Sequence, residues 1–144
     1  MIIAIDPGSQ KTGAAVVNAD GTLVEKEIIP SSALEEWLAK ELEHRAIDVI
    51  VMGNGTRHQM MKKRAEKAVS RWGKPVPVVL VDEKYTTEMG EARYWEDHPP
   101  RGLARFIPRG MRTVPHPVDD YVAWIIGQIY LGIVRAEDVG HKKV

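Results

Sequence analysis

A chain of 144 residues, 44% of them hydrophobic, can bury one core without covalent staples. The absence of cysteine excludes disulfides and thiolate metal sites, and no stretch reaches the roughly 20 apolar residues that cross a bilayer. Lys and Arg number 20 against 20 Asp and Glu, which speaks against an indiscriminate polyanion binder and leaves the distribution of charge to decide.

Residues 2–5 are an apolar run and predict a buried strand ending at Asp6-Pro7-Gly8. With no basic segment before it, this start reads as a strand and not as a signal peptide. Residues 13–17 predict a second strand and Asn18-Ala19-Asp20-Gly21 a hairpin turn. Residues 22–29 predict a third strand nearer the sheet edge, because polar and apolar positions alternate there. Pro30 ends the sheet. Ser32 and Glu35 stand at capping-box spacing, and Leu34, Trp37, Leu38 and Leu42 repeat as on a helix, so an amphipathic helix is expected over 32–44. A buried strand follows at 48–53. A helix over 57–72 turns Met61, Ala65, Val69 and Trp72 inward and its lysines outward, with Thr56 as the candidate cap. Residues 76–81 predict a strand and 87–97 a helix. Residues 98–117 hold five of the nine prolines and read as a loop, before a last helix over 118–134 and a tail over 135–144.

The order β-β-β-α-β-α-β-α-loop-α implies an antiparallel meander followed by strands that alternate with helices. The expected fold is one α/β domain over 1–134, a mixed five-stranded sheet flanked by helices. Trp37 and Trp72 read as core, as do Tyr94 and Trp95 in preference to base-stacking platforms.

Charge is segregated along this order. Residues 19–48 hold eight acids. Residues 57–74 carry seven Lys and Arg, Lys62 and Lys63 among them, against Glu66 alone, and residues 98–117 carry Arg101, Arg105, Arg109 and Arg112 with no acid. Two basic segments on an otherwise acidic chain fit a surface that follows a phosphate backbone; the plainer alternative is two solvated faces.

Three acids stand out by position. Asp6 ends the first strand, Glu83 ends the last, and Asp119 opens the final helix in line with Val122 and Ile126. The carboxyl ends of neighbouring parallel strands share one sheet edge, where ligands of open α/β sheets bind. Three carboxylates gathered there would repel one another, and divalent cations would relieve the repulsion. All-oxygen ligation suits Mg²⁺ or Mn²⁺, and two such ions can activate water against a phosphodiester. Each acid also has a plainer role: turn capping for Asp6, a solvated loop for Asp82 and Glu83, and a helix N-cap for Asp119. His116 and Asp120 are candidate assisting residues, with a loop position and a helix-dipole partner as their simpler readings. Gly53-Asn54-Gly55-Thr56, ahead of the basic helix, could hold a phosphate on its backbone N–H groups.

Three segments resemble the YqgF (RuvX-like) family of RNase H-like nucleases, which are implicated in pre-16S rRNA maturation and related to RuvC Holliday junction resolvases. They are Ile5-Asp6-Pro7-Gly8-Ser9-Gln10-Lys11-Thr12-Gly13, Val81-Asp82-Glu83-Lys84-Tyr85-Thr86-Thr87 and Val118-Asp119-Asp120-Tyr121-Val122-Ala123. The resemblance spans residues 1–131. It implies an RNase H-like fold, catalytic and metal-holding roles for Asp6, Glu83 and Asp119, a two-metal Mg²⁺ or Mn²⁺ site, and a cytoplasmic nuclease of branched DNA or structured RNA. RuvC resolvases work as dimers, which makes a homodimer an open expectation. Lys84 departs from the family's arginine, and Gly53-Asn54-Gly55-Thr56 is closer to the domain in the transcription accessory protein Tex, a non-catalytic nucleic-acid binder. His116-Pro117-Val118-Asp119 is similar to the His-x-x-Asp arrangement of some RuvC resolvases. A metal-dependent endonuclease is therefore the leading reading and a Tex-like binding module the alternative. A piece of the actin and sugar-kinase superfold is a distant third.

Overall fold

The computed structural model describes residues 1–55, 58–73, 75–82, 86–99 and 117–133. Five strands form one sheet: β1 (Ile2–Asp6), β2 (Lys11–Val17), β3 (Leu23–Pro30), β4 (Val49–Gly53) and β5 (Val78–Val81). Their order across it is β3-β2-β1-β4-β5. The β1-β2 and β2-β3 pairs are antiparallel, and β1-β4 and β4-β5 are parallel. The meander and the edge position of β3 match the sequence reading.

Period-two alternation divides the core. Ile3 and Ile5 of β1, Ala14 and Val16 of β2, and Ile50 and Met52 of β4 point to one face. There they meet α1 (Leu34–His44) and α2 (His58–Trp72) through Leu34, Trp37, Leu38, Leu42, Met61, Ala65 and Val69. Ile2, Ala4, Ala15, Val17, Val49 and Val51 point to the other face, against Tyr94 of α3 (Thr86–Asp97) and against Val122, Ala123 and Ile126 of α4 (Asp119–Tyr130). Tyr94 and Trp37 are buried as expected, and Tyr94 is stacked on His98 rather than presented to solvent.

Two expectations are corrected. The capping box at Ser32 and Glu35 does not form: a 3-10 turn over Ser31–Ala33 precedes α1, whose N-cap is Ala33 with no side-chain hydrogen bond. Glu35 instead pairs with Arg64 of α2, which also donates to the Ser31 carbonyl at 2.7 Å. The last helix ends at Tyr130, and Gly132 follows in the left-handed region at φ 75°. Thr56 lies outside the described residues, as do most of the loop over 98–117 and the tail over 135–144.

Candidate active site

β1, β4 and β5 are parallel, so their carboxyl ends lie on one edge. Asp6 closes β1 at that edge. It has the same parity as Ile2 and Ala4, which puts its side chain on the face that carries α4. Across the β1-β2 pair Asp6 stands opposite Gly13.

Gly13 is what lets the helix come close. A Cβ built there would lie 1.8 Å from the Asp119 carbonyl oxygen and 3.1 Å from the Asp119 Cβ. Only a residue with no side chain accepts this approach. Further along, a Cβ on Gly127 would touch Ala4 and Val17 at 3.2 Å, so along this line α4 lies close to the sheet, with Gly13 under the Asp119 backbone and the small Ala123 and Gly127 beyond it. The helical line through Asp119 is thus Asp119, Ala123 and Gly127, with Val122 and Ile126 beside it.

This packing brings Asp119 to Asp6, near enough for the two carboxyl groups to interact. Burial, the largest influence, pushes the Asp119 carboxyl above its ordinary value; Asp120 pushes the same way, while Asp6 and Lys11 oppose. Asp119 is not the N-cap of α4. That position is Val118, with no side-chain cap, so the simpler reading of Asp119 as a capping residue does not hold.

The turn between Asp6 and Lys11 is tightly held. Ser31 donates its hydroxyl hydrogen to the Gly8 carbonyl at 2.7 Å and its N–H to the Gln10 carbonyl at 2.8 Å. With that hydrogen spent, the buried contact between Thr12 and Ser31 at 2.7 Å is donated by Thr12. A Cβ on Gly8 would fall 2.1 Å from the Lys11 carbonyl oxygen, so the turn cannot take a larger residue without shifting.

β5 stops at Val81, two residues before Glu83, on the same carboxyl edge as Asp6. β4 lies between β1 and β5, so their ends are two strand spacings apart, roughly 10 Å. Glu83, His116, Arg101, Arg105, Arg109 and Arg112 lie outside the described residues. Asp82 is exposed. Among the described residues no group of three metal-ligating side chains is assembled; the two that meet are Asp6 and Asp119. Asp120 turns elsewhere: its Oδ2 accepts from Lys26 Nζ at 2.6 Å and its Oδ1 from the Tyr121 N–H at 3.0 Å.

Lys62 and Lys63 sit on α2, and therefore across the sheet from Asp6 and Asp119. The expected phosphate cradle after β4 loses a donor, because the Asn54 N–H is spent on the Val81 carbonyl at 3.0 Å. A shallow depression of about 520 Å³ lies at the opposite end of the sheet, lined by Leu42, Arg45, Ile47, Asp48 and Trp72 among others, and is remote from the carboxyl pair.

Two lysines had no place in the sequence reading. Lys11 shares the parity of Gly13 on β2, is exposed, and lies near enough to Asp119 to act on its carboxyl. Counting by twos from Gly13 would have found it. Lys26 is 94 residues from Asp120, and no local pattern links them.

The sheet order, the helix layers on both faces and the mixed strand directions are those of an RNase H-like α/β fold. The structure of RuvC from Thermus thermophilus superposes with a TM-score of 0.50 over 87% of this chain and 88% of that one, at 16% identity, a likeness of fold. In sequence the chain is 36% identical over 98 residues to a protein of Thermobifida fusca (strain YX) named "Putative pre-16S rRNA nuclease". That match covers 62% of this chain and 62% of the relative, so it spans less than two thirds of the relative's length. No family model matches the chain. A ROK family glucokinase from Streptomyces griseus reaches a TM-score of only 0.41 over 65% of this chain, too low to bear on its function. No helix of the described residues is long and apolar enough to cross a membrane.

Proposed function

We propose that the chain is a YqgF-like, divalent-metal-dependent endonuclease that hydrolyses phosphodiesters in structured nucleic acid, with a precursor rRNA as its substrate. The observation that carries this reading is the meeting of Asp6 and Asp119 at the carboxyl edge of the sheet, on a glycine that admits the helix. A pure binder gains nothing from two carboxyl groups facing phosphates. The motif resemblance and the name of the sequence relative support the same reading.

The donor chemistry fits a hard cation: both groups are carboxyl oxygens, and one is held partly buried where its bare charge is disfavoured. Asp6 and Asp119, together with Glu83 two residues past β5, would hold Mg²⁺ or Mn²⁺. Such ions lower the pKa of a bound water and stabilise the leaving oxygen of a phosphodiester. The chain's own part is to fix two carboxyl groups in one geometry and to place Lys11 beside them, where it meets a backbone phosphate. Arg101, Arg105, Arg109 and Arg112 extend the electrostatic contact along the strand, as do Lys62 and Lys63 from the far side of the same edge. The nuclease unit spans residues 1–134.

The test is cleavage of three labelled substrates, a structured RNA with single-stranded tails, a four-way DNA junction and a linear duplex, each with Mg²⁺, Mn²⁺ or EDTA. Metal-dependent cutting of the RNA is expected. Cutting of the junction alone would transfer the substrate to branched DNA. Tight binding without cutting in any metal would overturn the nuclease in favour of the Tex-like binder.

A further inference from the structure

Two adjacent aspartates open α4, yet only one faces Asp6. The other, Asp120, is held by Lys26 from the middle of the edge strand β3, at 2.6 Å. Both side chains are mostly buried, with 22% of Lys26 and 15% of Asp120 exposed. The Lys26 amine also lies 3.9 Å from the centre of the Tyr121 ring. Tyr121 in turn donates its hydroxyl to Asp97 of α3 at 2.7 Å, so the first turn of α4 is tied to both the sheet edge and α3.

Helix geometry explains why this matters. Residues 119 and 120 are about 100° apart around the α4 axis, so the rotational setting of the first turn and the rotamers of the two side chains decide which carboxylate is directed at Asp6. Asp119 is directed there because the backbone rests on Gly13, and Asp120 is drawn the other way by Lys26. Without Lys26, Asp120 would be a mostly buried anion that, among the described residues, is bonded to its neighbour's N–H alone, beside a carboxyl group it already repels. It would gain by turning toward any cation bound at the pair.

We propose that Lys26 is a positioning residue that selects Asp119 over Asp120 as the carboxylate facing the metal, by holding Asp120 in an ion pair against Tyr121. This rests on the reading of Asp6 and Asp119 as metal ligands. It goes beyond that reading in assigning a role to an edge-strand lysine and in setting Asp120 outside the site.

The test is calorimetric titration of Mn²⁺ into the full chain, with thermal melting of each variant in EDTA. Lys26→Met is expected to weaken Mn²⁺ binding about 10-fold, the scale on which outer-shell partners act. Adding Asp120→Asn to it should restore most of that loss, because the competing carboxylate is then gone. A merely structural lysine would not be rescued in this way, and failure of the double variant to recover Mn²⁺ binding would overturn the proposal. So would unchanged or tighter binding by Lys26→Met. Should Lys26→Met not fold, Lys26→Gln, which keeps a donor without the charge, serves with the same rescue. If the unsubstituted chain takes up no Mn²⁺, or Asp119→Asn binds it equally well, the metal site itself falls and the selector with it. Binding that needs Asp119 but ignores Lys26 defeats the selector alone.

Discussion

The two faces of the sheet are built to different ends. On the α1 and α2 face, large side chains fill the gap: Leu34, Trp37, Leu38, Leu42 and Met61 against Ile3, Ile5, Ile50 and Met52. On the α4 face, Ile2, Val17, Val122 and Ile126 also pack, but Ala4, Ala15, Ala123 and Gly127 lie among them, and at the sheet edge Gly13 lies under the Asp119 backbone. Large residues hold a helix away from a sheet and bury more apolar area. Small ones bury less but let the helix come near enough to bring a carboxylate from its first turn to one at a strand end. The first face contributes mainly stability, and the second spends stability to place charge beside charge.

The strongest way to break this contrast is at Gly13. Gly13→Val should push α4 off β2, cost about 3 kcal/mol through overpacking, and abolish cleavage; denaturant melts and the RNA assay read both effects. Unaltered cleavage would mean the close approach is not needed. The matching change on the other face is Leu38→Ala. It should cost about 2–5 kcal/mol at this fully buried position while leaving kcat of the folded protein unchanged. A large fall in kcat there would erase the division between the faces.

Asp119 sharpens the contrast through pH. Its carboxyl lies above the ordinary 3.8 because it is partly buried. Its favourable contribution to folding is therefore complete below 3.8 and is lost as pH rises through the raised value. Asp119→Asn removes that loss, so in EDTA it should melt higher than the unsubstituted chain near neutral pH, with the gap closing toward acid. A lower melting temperature at neutral pH would show that the ionised carboxylate stabilises the fold. The smallest effect is expected at Lys11. Lys11→Ala should weaken RNA binding uniformly across sequences and reduce the slope of log affinity against log salt by about 0.7–0.9, the share of one phosphate contact. An unchanged slope would remove Lys11 from the substrate path.

Much of this was legible in the sequence because it rests on local patterns. Apolar runs over residues 2–5 and 13–17 predicted the strands, and helical spacing of Leu34, Leu38 and Leu42 predicted α1. The position of Asp6 at a strand end and Asp119 at a helix start was readable for the same reason. What the sequence did not show was the partner of each charge. Glu35 at capping-box spacing from Ser32 is bound to Arg64, 29 residues away, and Asp120 to Lys26, 94 residues away. Such pairs are decided by which elements pack together, and local spacing carries no trace of them. Arg64 shows the cost of reading charge runs alone: it lies within the basic segment, yet the fold uses it to tie α2 to Glu35 and Ser31.

The most direct test of the carboxyl pair as a cleavage centre compares Asp6→Asn and Asp119→Asn with the unsubstituted chain on one labelled structured RNA, scoring binding and cutting separately in Mn²⁺. Both variants should bind the RNA as well as the unsubstituted chain or better, since each removes a negative charge. Each should cut it more than about 100-fold more slowly, beyond what losing an outer-shell partner costs. Cutting at the normal rate by either variant would contradict the assignment.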